Sequence, residues 1–181
     1  MAQPTPERGR PLGFDQAAAL DAASRTFWQH GYESTSTPIL ETAMGVSRSS
    51  LANTFGTKHD LFLACLDNYL DATETQLITP LHDATTDGID ACIAFFQRLA
   101  RLKQHEPGSH GCLMVNTMTE LGTTDPDLAP RARRYHTALR TGFESALLRV
   151  APVHGIPPHA AETLVALAMT INLHARTGNI A

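Results

Sequence analysis

The chain has 181 residues, of which 43% are hydrophobic and 18% charged, and a formal net charge of −4. That length suits a small head and one further helical domain, and the acidic balance excludes a protein that holds nucleic acid by bulk charge alone. No apolar run approaches the length of a membrane span and no apolar leader opens the chain, so the sequence reads as cytoplasmic.

Met1 to Gly13 is an arm rich in Pro, Gly and Arg. Its Arg8 and Arg10 suit a phosphate or a minor groove, or simply belong to a tail. Phe14 to His30 is predicted as the first helix, with Phe14, Ala18, Ala22 and Phe27 at helical spacing, Trp28 in the core and Gly31 as the stop. Next come two short helices on either side of Gly45-Val46-Ser47. The first opens with Thr37 as cap and Pro38 at the first helical position, and its apolar face is Ile39, Leu40, Ala43 and Met44. Gly45 tolerates a left-handed turn and Val46 plugs the corner. Ser47 caps the second, Arg48 to Phe55, in which Leu51 and Phe55 face inward and Arg48, Ser49, Ala52, Asn53 and Thr54 outward. Two helices of this length joined by so short a turn form a helix-turn-helix, whose second helix enters the DNA major groove.

A fourth helix starts at Thr57-Lys58-His59-Asp60, a capping-box pattern with Asp in place of Glu, and is expected to run to about Thr79, where Pro80 ends it. Asp87 to His105 is the fifth. Ile89, Cys92, Ile93, Phe96 and Ala100 form one apolar face and Phe95, Leu99 and Leu102 a second, which predicts burial on two sides. A sixth helix opens at Gly111-Cys112-Leu113-Met114-Val115-Asn116 and ends near Gly122. A seventh, after Asp125-Pro126-Asp127, carries Leu128, Ala132, Tyr135, Leu139, Phe143, Ala146 and Val150 on one stripe. Pro158 to Ala175 is the eighth, with Leu164, Leu167, Ala168, Ile171 and Ala175 in register. No strand pattern is present, so the fold is all α.

Gly31-Tyr32-Glu33-Ser34-Thr35-Ser36, Ala43 to Arg48, Leu51, Phe55-Gly56-Thr57-Lys58 and Leu61-Phe62 together resemble the N-terminal domain of the tetracycline-repressor (TetR) family. The likeness runs without a gap from about Arg10 to Tyr69. It implies a one-component transcriptional regulator, most often a repressor, that binds a palindromic double-stranded DNA operator as a homodimer and responds to a small-molecule effector. It also implies a division into an arm (1–13), a DNA-binding head (14–58), a connecting helix (59–79) and a sensing and dimerisation domain (80–181). Relatives usually add one more helix after the eighth. Base-reading positions fall on Arg48, Ser49, Ser50 and Asn53, and phosphate contacts on Thr37, Thr54 and Lys58. A tyrosine common in the family is replaced by Ala52, which removes one phosphate contact.

The head itself is neutral: Arg8, Arg10, Arg25, Arg48 and Lys58 balance Glu7, Asp15, Asp21, Glu33 and Glu41 over residues 1–58. Affinity must therefore come from two heads bound together and a few placed contacts. Expected effector contacts are Phe96, Leu99, Cys112, Asn116, Tyr135, Leu139 and His174, polar groups within an apolar shell. Cys112, near a helix start, has two readings, a reactive thiol that senses electrophiles or a small buried hydrophobe. Cys65, Cys92 and Cys112 lack a CxxC, and the pairs His105/His110 and His154/His159 lack partners at ligand spacing, so neither a disulfide framework nor a metal site is expected. No cofactor or catalytic motif is present, which leaves a helical small-molecule binder without sequence-specific DNA binding as the alternative. Arg48 can grip guanine O6 and N7 as a fork, so Arg48→Ala is expected to weaken binding to a mapped operator by roughly 1–3 kcal/mol and to relax one base position, measured by fluorescence anisotropy.

Overall fold

The computed structural model describes residues 14–105, 108–122 and 124–176. The arm with Arg8 and Arg10 and the side chain of His154 lie outside the described residues. Among the described residues eight α-helices follow one another: α1 (Gln16–His30), α2 (Thr37–Met44), α3 (Arg48–Phe55), α4 (Lys58–Thr73), α5 (Gly88–Lys103), α6 (Leu113–Leu121), α7 (Leu128–His154) and α8 (Ala160–Arg176). Among the described residues there is no strand, and no helix is long and apolar enough to cross a membrane.

Local signals explain the head. Asp15 caps α1, its carboxylate accepting from the N–H groups of Ala17 and Ala18 at 2.9 and 3.2 Å. The helix therefore starts at Gln16 and not at Phe14, and its core face is Ala19, Ala23, Thr26 and Phe27, one residue round from the expected stripe, with Ala18 exposed. Thr37 lies inside α2. The cap is Ser36, which makes no side-chain bond, and of the expected apolar face only Leu40 and Met44 are buried. Gly45 is left-handed (φ 66°) and Val46 is buried behind it, as the sequence predicts. Thr57 and Asp60 complete the capping box of α4 in both directions. The rings of Phe27, Tyr32 and Phe62 hold the head's centre, with centroids 4.9 Å (Phe27–Phe62) and 4.7 Å (Tyr32–Phe62) apart.

α4 leaves the head and enters the second layer of helices. Beyond Thr73 it widens into a π turn, Glu74–Ile78, and then tightens into a 3-10 turn, Thr79–His82. Pro80 is the physical reason, because its ring would clash with the Gln76 carbonyl of a regular helix. The N–H of Thr79 reaches back to the Glu74 carbonyl instead. Two arginines of α7 fasten this segment. Arg131 grips Asp67 with bonds of 2.8 and 2.5 Å, and Arg134 spans Asp71 and Glu74 at 2.5 and 2.8 Å.

The stripe expected on α7 is observed: Leu128, Tyr135, Leu139, Phe143, Ala146 and Val150 are all buried. α5 is not buried on two sides. Cys92, Phe95 and Leu99 face the core, whereas Leu102 is exposed, as are Ile89 and Ile93 along a groove that α8 borders with Leu164, Leu167 and Ile171. On α8 the buried residues are Ala161, Val165, Ala168, Asn172 and Ala175, so Leu167 sits outside the register expected for it. α5 meets α7 closely at Gly88, where a Cβ would lie 2.0 Å from the Ala146 carbonyl oxygen and 2.6 Å from Val150 Cγ2. Gly88→Ala is therefore expected to lower the unfolding free energy by about 1–3 kcal/mol in urea denaturation, the range for an overpacked core. An unchanged midpoint would mean that the two helices separate freely.

Candidate functional site

The reader is built on α3. Ser47 fixes its start: the hydroxyl accepts from the Ser50 N–H at 3.2 Å and lies 3.1 and 3.0 Å from the hydroxyls of Ser49 and Ser50. Leu51 anchors the inner face, and Arg48, Ser49, Ala52 and Asn53 stand exposed on the outer one, with Ser50 half-buried beside them. The four expected base-reading residues are thus together on one short helix. Thr37, at the start of α2, is half-buried.

Two of the expected phosphate contacts are occupied differently. The Thr54 hydroxyl is buried and finds no hydrogen-bond partner, so it does not stand on the outer face of α3. Lys58 turns its ammonium into the head, where Nζ donates to the carbonyls of Tyr32 and Thr35, both at 3.0 Å, and lies 4.1 Å from the centre of the Tyr32 ring. These carbonyls end the turn after α1, and a cation there ties that turn to the start of α4.

The same turn is held from the far side by the sensing layer. Glu120, in the last turn of α6, accepts from the N–H groups of Tyr32 and Glu33 at 3.1 and 2.9 Å. Gly31 (φ 82°) is what permits it, since a Cβ there would come within 2.8 Å of the Glu120 carboxylate. A second bridge joins His59 of α4 to Asp125 before α7, Nε2 to Oδ2 at 2.8 Å, and Asp127 stands close by. Bonds from His59 and the Asp127 N–H hold Asp125 below the usual carboxylate range, against the opposing effect of desolvation, the largest single influence on it.

Behind α4, a cavity of about 650 Å³ opens between α4, α5 and α7, within the size range of small-molecule sites. Leu99, Tyr135 and Leu139 line it as the sequence predicts. Phe96 does not: it stacks on Phe143 at 5.8 Å and borders the α5–α8 groove. Asn116 is buried with its Nδ2 donating to the His110 carbonyl, and His174 is exposed on α8, so neither is in the wall. Cys112 is fully buried just behind it, where its sulfur accepts from the Tyr69 hydroxyl at 3.1 Å and lies 3.6 Å from that of Tyr135. Burial and the adjacent sulfur push both phenols up, so they remain protonated.

Sequence reasoning missed the α4 side of the cavity: Tyr69 and Thr73 on the last turns of regular α4, and Gln76 and Leu77 on the π turn, which breaks the helical period. It also missed Trp28, half-buried with its ring edge-on to Tyr69 and its Nε1 unpartnered, and Lys103. A signal existed for the lysine, which continues the buried stripe Cys92, Phe95, Leu99 at the next helical step.

An exposed reading helix, a tied connecting helix and a cavity behind it define a helix-turn-helix regulator with its own sensing domain. The model of bacterial regulatory proteins of the tetR family matches residues 19–65. The HTH-type transcriptional repressor ComR of Escherichia coli is 32% identical over 176 residues, 94% of this chain and 84% of that protein. The chain belongs to the TetR family. Among solved structures it is similar to a cysteine mutant of the TetR-family regulator CifR with 26-base-pair operator DNA, at TM-score 0.76 and 21% identity over 93% of this chain and 91% of that one. The reduced form of NemR from E. coli superposes at TM-score 0.77, with 20% identity over 90% and 86%. Because the Lys58 ammonium is engaged inside the head, Lys58→Met is expected to lower the unfolding free energy by about 1–2 kcal/mol in urea without DNA. A lysine held for phosphate alone would leave that midpoint where it is.

Proposed function

We propose that the protein is a cytoplasmic transcriptional repressor that binds a palindromic operator as a homodimer and releases it when a small molecule occupies the α4–α5–α7 cavity. The observation that carries this reading is the double use of α4: its first turn is tied to the reading head by Lys58, and its last turns wall the cavity. Filling the cavity pushes on the far end of the helix whose tilt sets the spacing of two heads. Arg48, Ser49, Ser50 and Asn53 read bases, with Arg48 as the principal contact. Operator DNA in the CifR complex and the repressor description of ComR both support this reading.

Dimerisation is supported by apolar side chains left in the open on the last two helices, Leu148 of α7 (71% exposed) and Leu167 and Leu173 of α8 (46% and 47%). A reversible ligand fits better than an electrophile as the signal, because Cys112 is shut off from solvent and its sulfur already accepts a phenol hydrogen bond. Selection from random duplex DNA with the purified chain, read by sequencing, is expected to enrich a palindrome that Arg48→Ala no longer enriches. No enrichment at low salt would overturn sequence-specific binding and leave a helical small-molecule binder.

A further inference from the structure

We infer that the cavity takes an organic anion, a carboxylate carried on an apolar body, with Lys103 as its counter-ion. The inference rests on reading this cavity as the effector site and adds the chemistry of the effector. Leu77, Phe95, Leu99 and Leu139 supply apolar wall. Set against that wall are three cations of α5, Arg98, Arg101 and Lys103, and among the described residues no carboxylate lines the cavity.

Three arginines of α7 make the contrast. Arg131, Arg134 and Arg140 on α7 each meet a carboxylate at 2.5 to 2.8 Å, in a chain with 18 acidic against 14 basic residues. Arg98, Arg101 and Lys103 pair with none among the described residues. Lys103 is only 9% exposed, and its Nζ donates to the Gly111 carbonyl at 2.7 Å. An ammonium has three donors, and a buried charge answered by one neutral carbonyl is costly. Burial lowers the pKa of Lys103, with the nearby Cys112 opposing that shift.

Each class of ligand meets this site differently. A neutral apolar molecule would bury the ammonium further without answering it. An amine would add a fourth positive charge. A carboxylate supplies the missing partner through charge-assisted bonds, while its hydrocarbon body covers the leucines. The backbone carbonyl that Lys103 holds belongs to Gly111, next to the N-cap of α6, so an anion drawing on this ammonium acts at the start of the helix whose last turn carries Glu120.

The chain contains a single tryptophan, and Trp28 lines the cavity, so its emission reports occupancy directly. Titrate the full chain with phenylbutyrate, phenylbutyramide and phenylbutylamine, and in parallel with octanoate, octanamide and octylamine. The acids are expected to shift Trp28 emission at concentrations about tenfold or more below their amides, with the amines weakest, a ratio typical of one charge-assisted bond. Lys103→Met should remove most of the acid's advantage over its amide. The double variant Arg98→Gln, Arg101→Gln changes exposed positions only, so it folds, and it should reduce the acid's advantage in part. Amides binding as well as acids in the unsubstituted chain, or an advantage that survives both variants, would overturn the anion while leaving the cavity as effector site. No response to any of the six would overturn both.

Discussion

α4 cannot tilt at one end without tilting at the other. It begins in a capping box within the head, passes Asp67 and Asp71, which α7 holds through two arginines, and loosens into a π turn only where it reaches the cavity. Charge-assisted bonds from α7 hold Asp67, Asp71 and, at the start of the π turn, Glu74. The head's fold, the cavity's wall and the bridges between them all refer to this one helix.

The bridges differ in kind. Lys58 acts within the head, joining the carbonyls that follow α1 to the start of α4. Glu120 and Asp125 reach across from the sensing layer, one to backbone N–H groups of the α1–α2 turn and the other to His59. The reading helix α3 takes part in none of these contacts. It is positioned by its neighbours, and its outer face is left for bases.

Much of the head was legible in the sequence because its signals are local. Gly45, Val46, Ser47 and the Thr57–Asp60 pair each act within a few residues, and each is found where its chemistry predicts. Errors there came from caps competing one residue apart: Asp15 displaced Phe14 as the start of α1, and Ser36 displaced Thr37. The cavity was only half legible. Leu99, Tyr135 and Leu139 could be read from the buried stripes of α5 and α7, but Gln76 and Leu77 depend on a break in helical period that Pro80 imposes from downstream. Lys58 and Thr54 illustrate a different limit. A lysine at a helix start and a threonine on a short polar helix both suit a phosphate, and only the three-dimensional neighbours show a carbonyl pair claiming one and burial enclosing the other.

Gly31 and Glu120 belong to different layers of the molecule yet constrain each other: a Cβ at Gly31 would fall 2.8 Å from the Glu120 carboxylate. Heads and sensing domains of such regulators invite recombination as separate modules, and this contact makes the seam between them specific. A head grafted onto a foreign sensing domain would lose the carboxylate that caps its first turn, and this sensing domain given a head with a side chain at the Gly31 position would meet a clash. The two residues must travel together, so a cut at the end of the helix-turn-helix separates a pair that the fold joins.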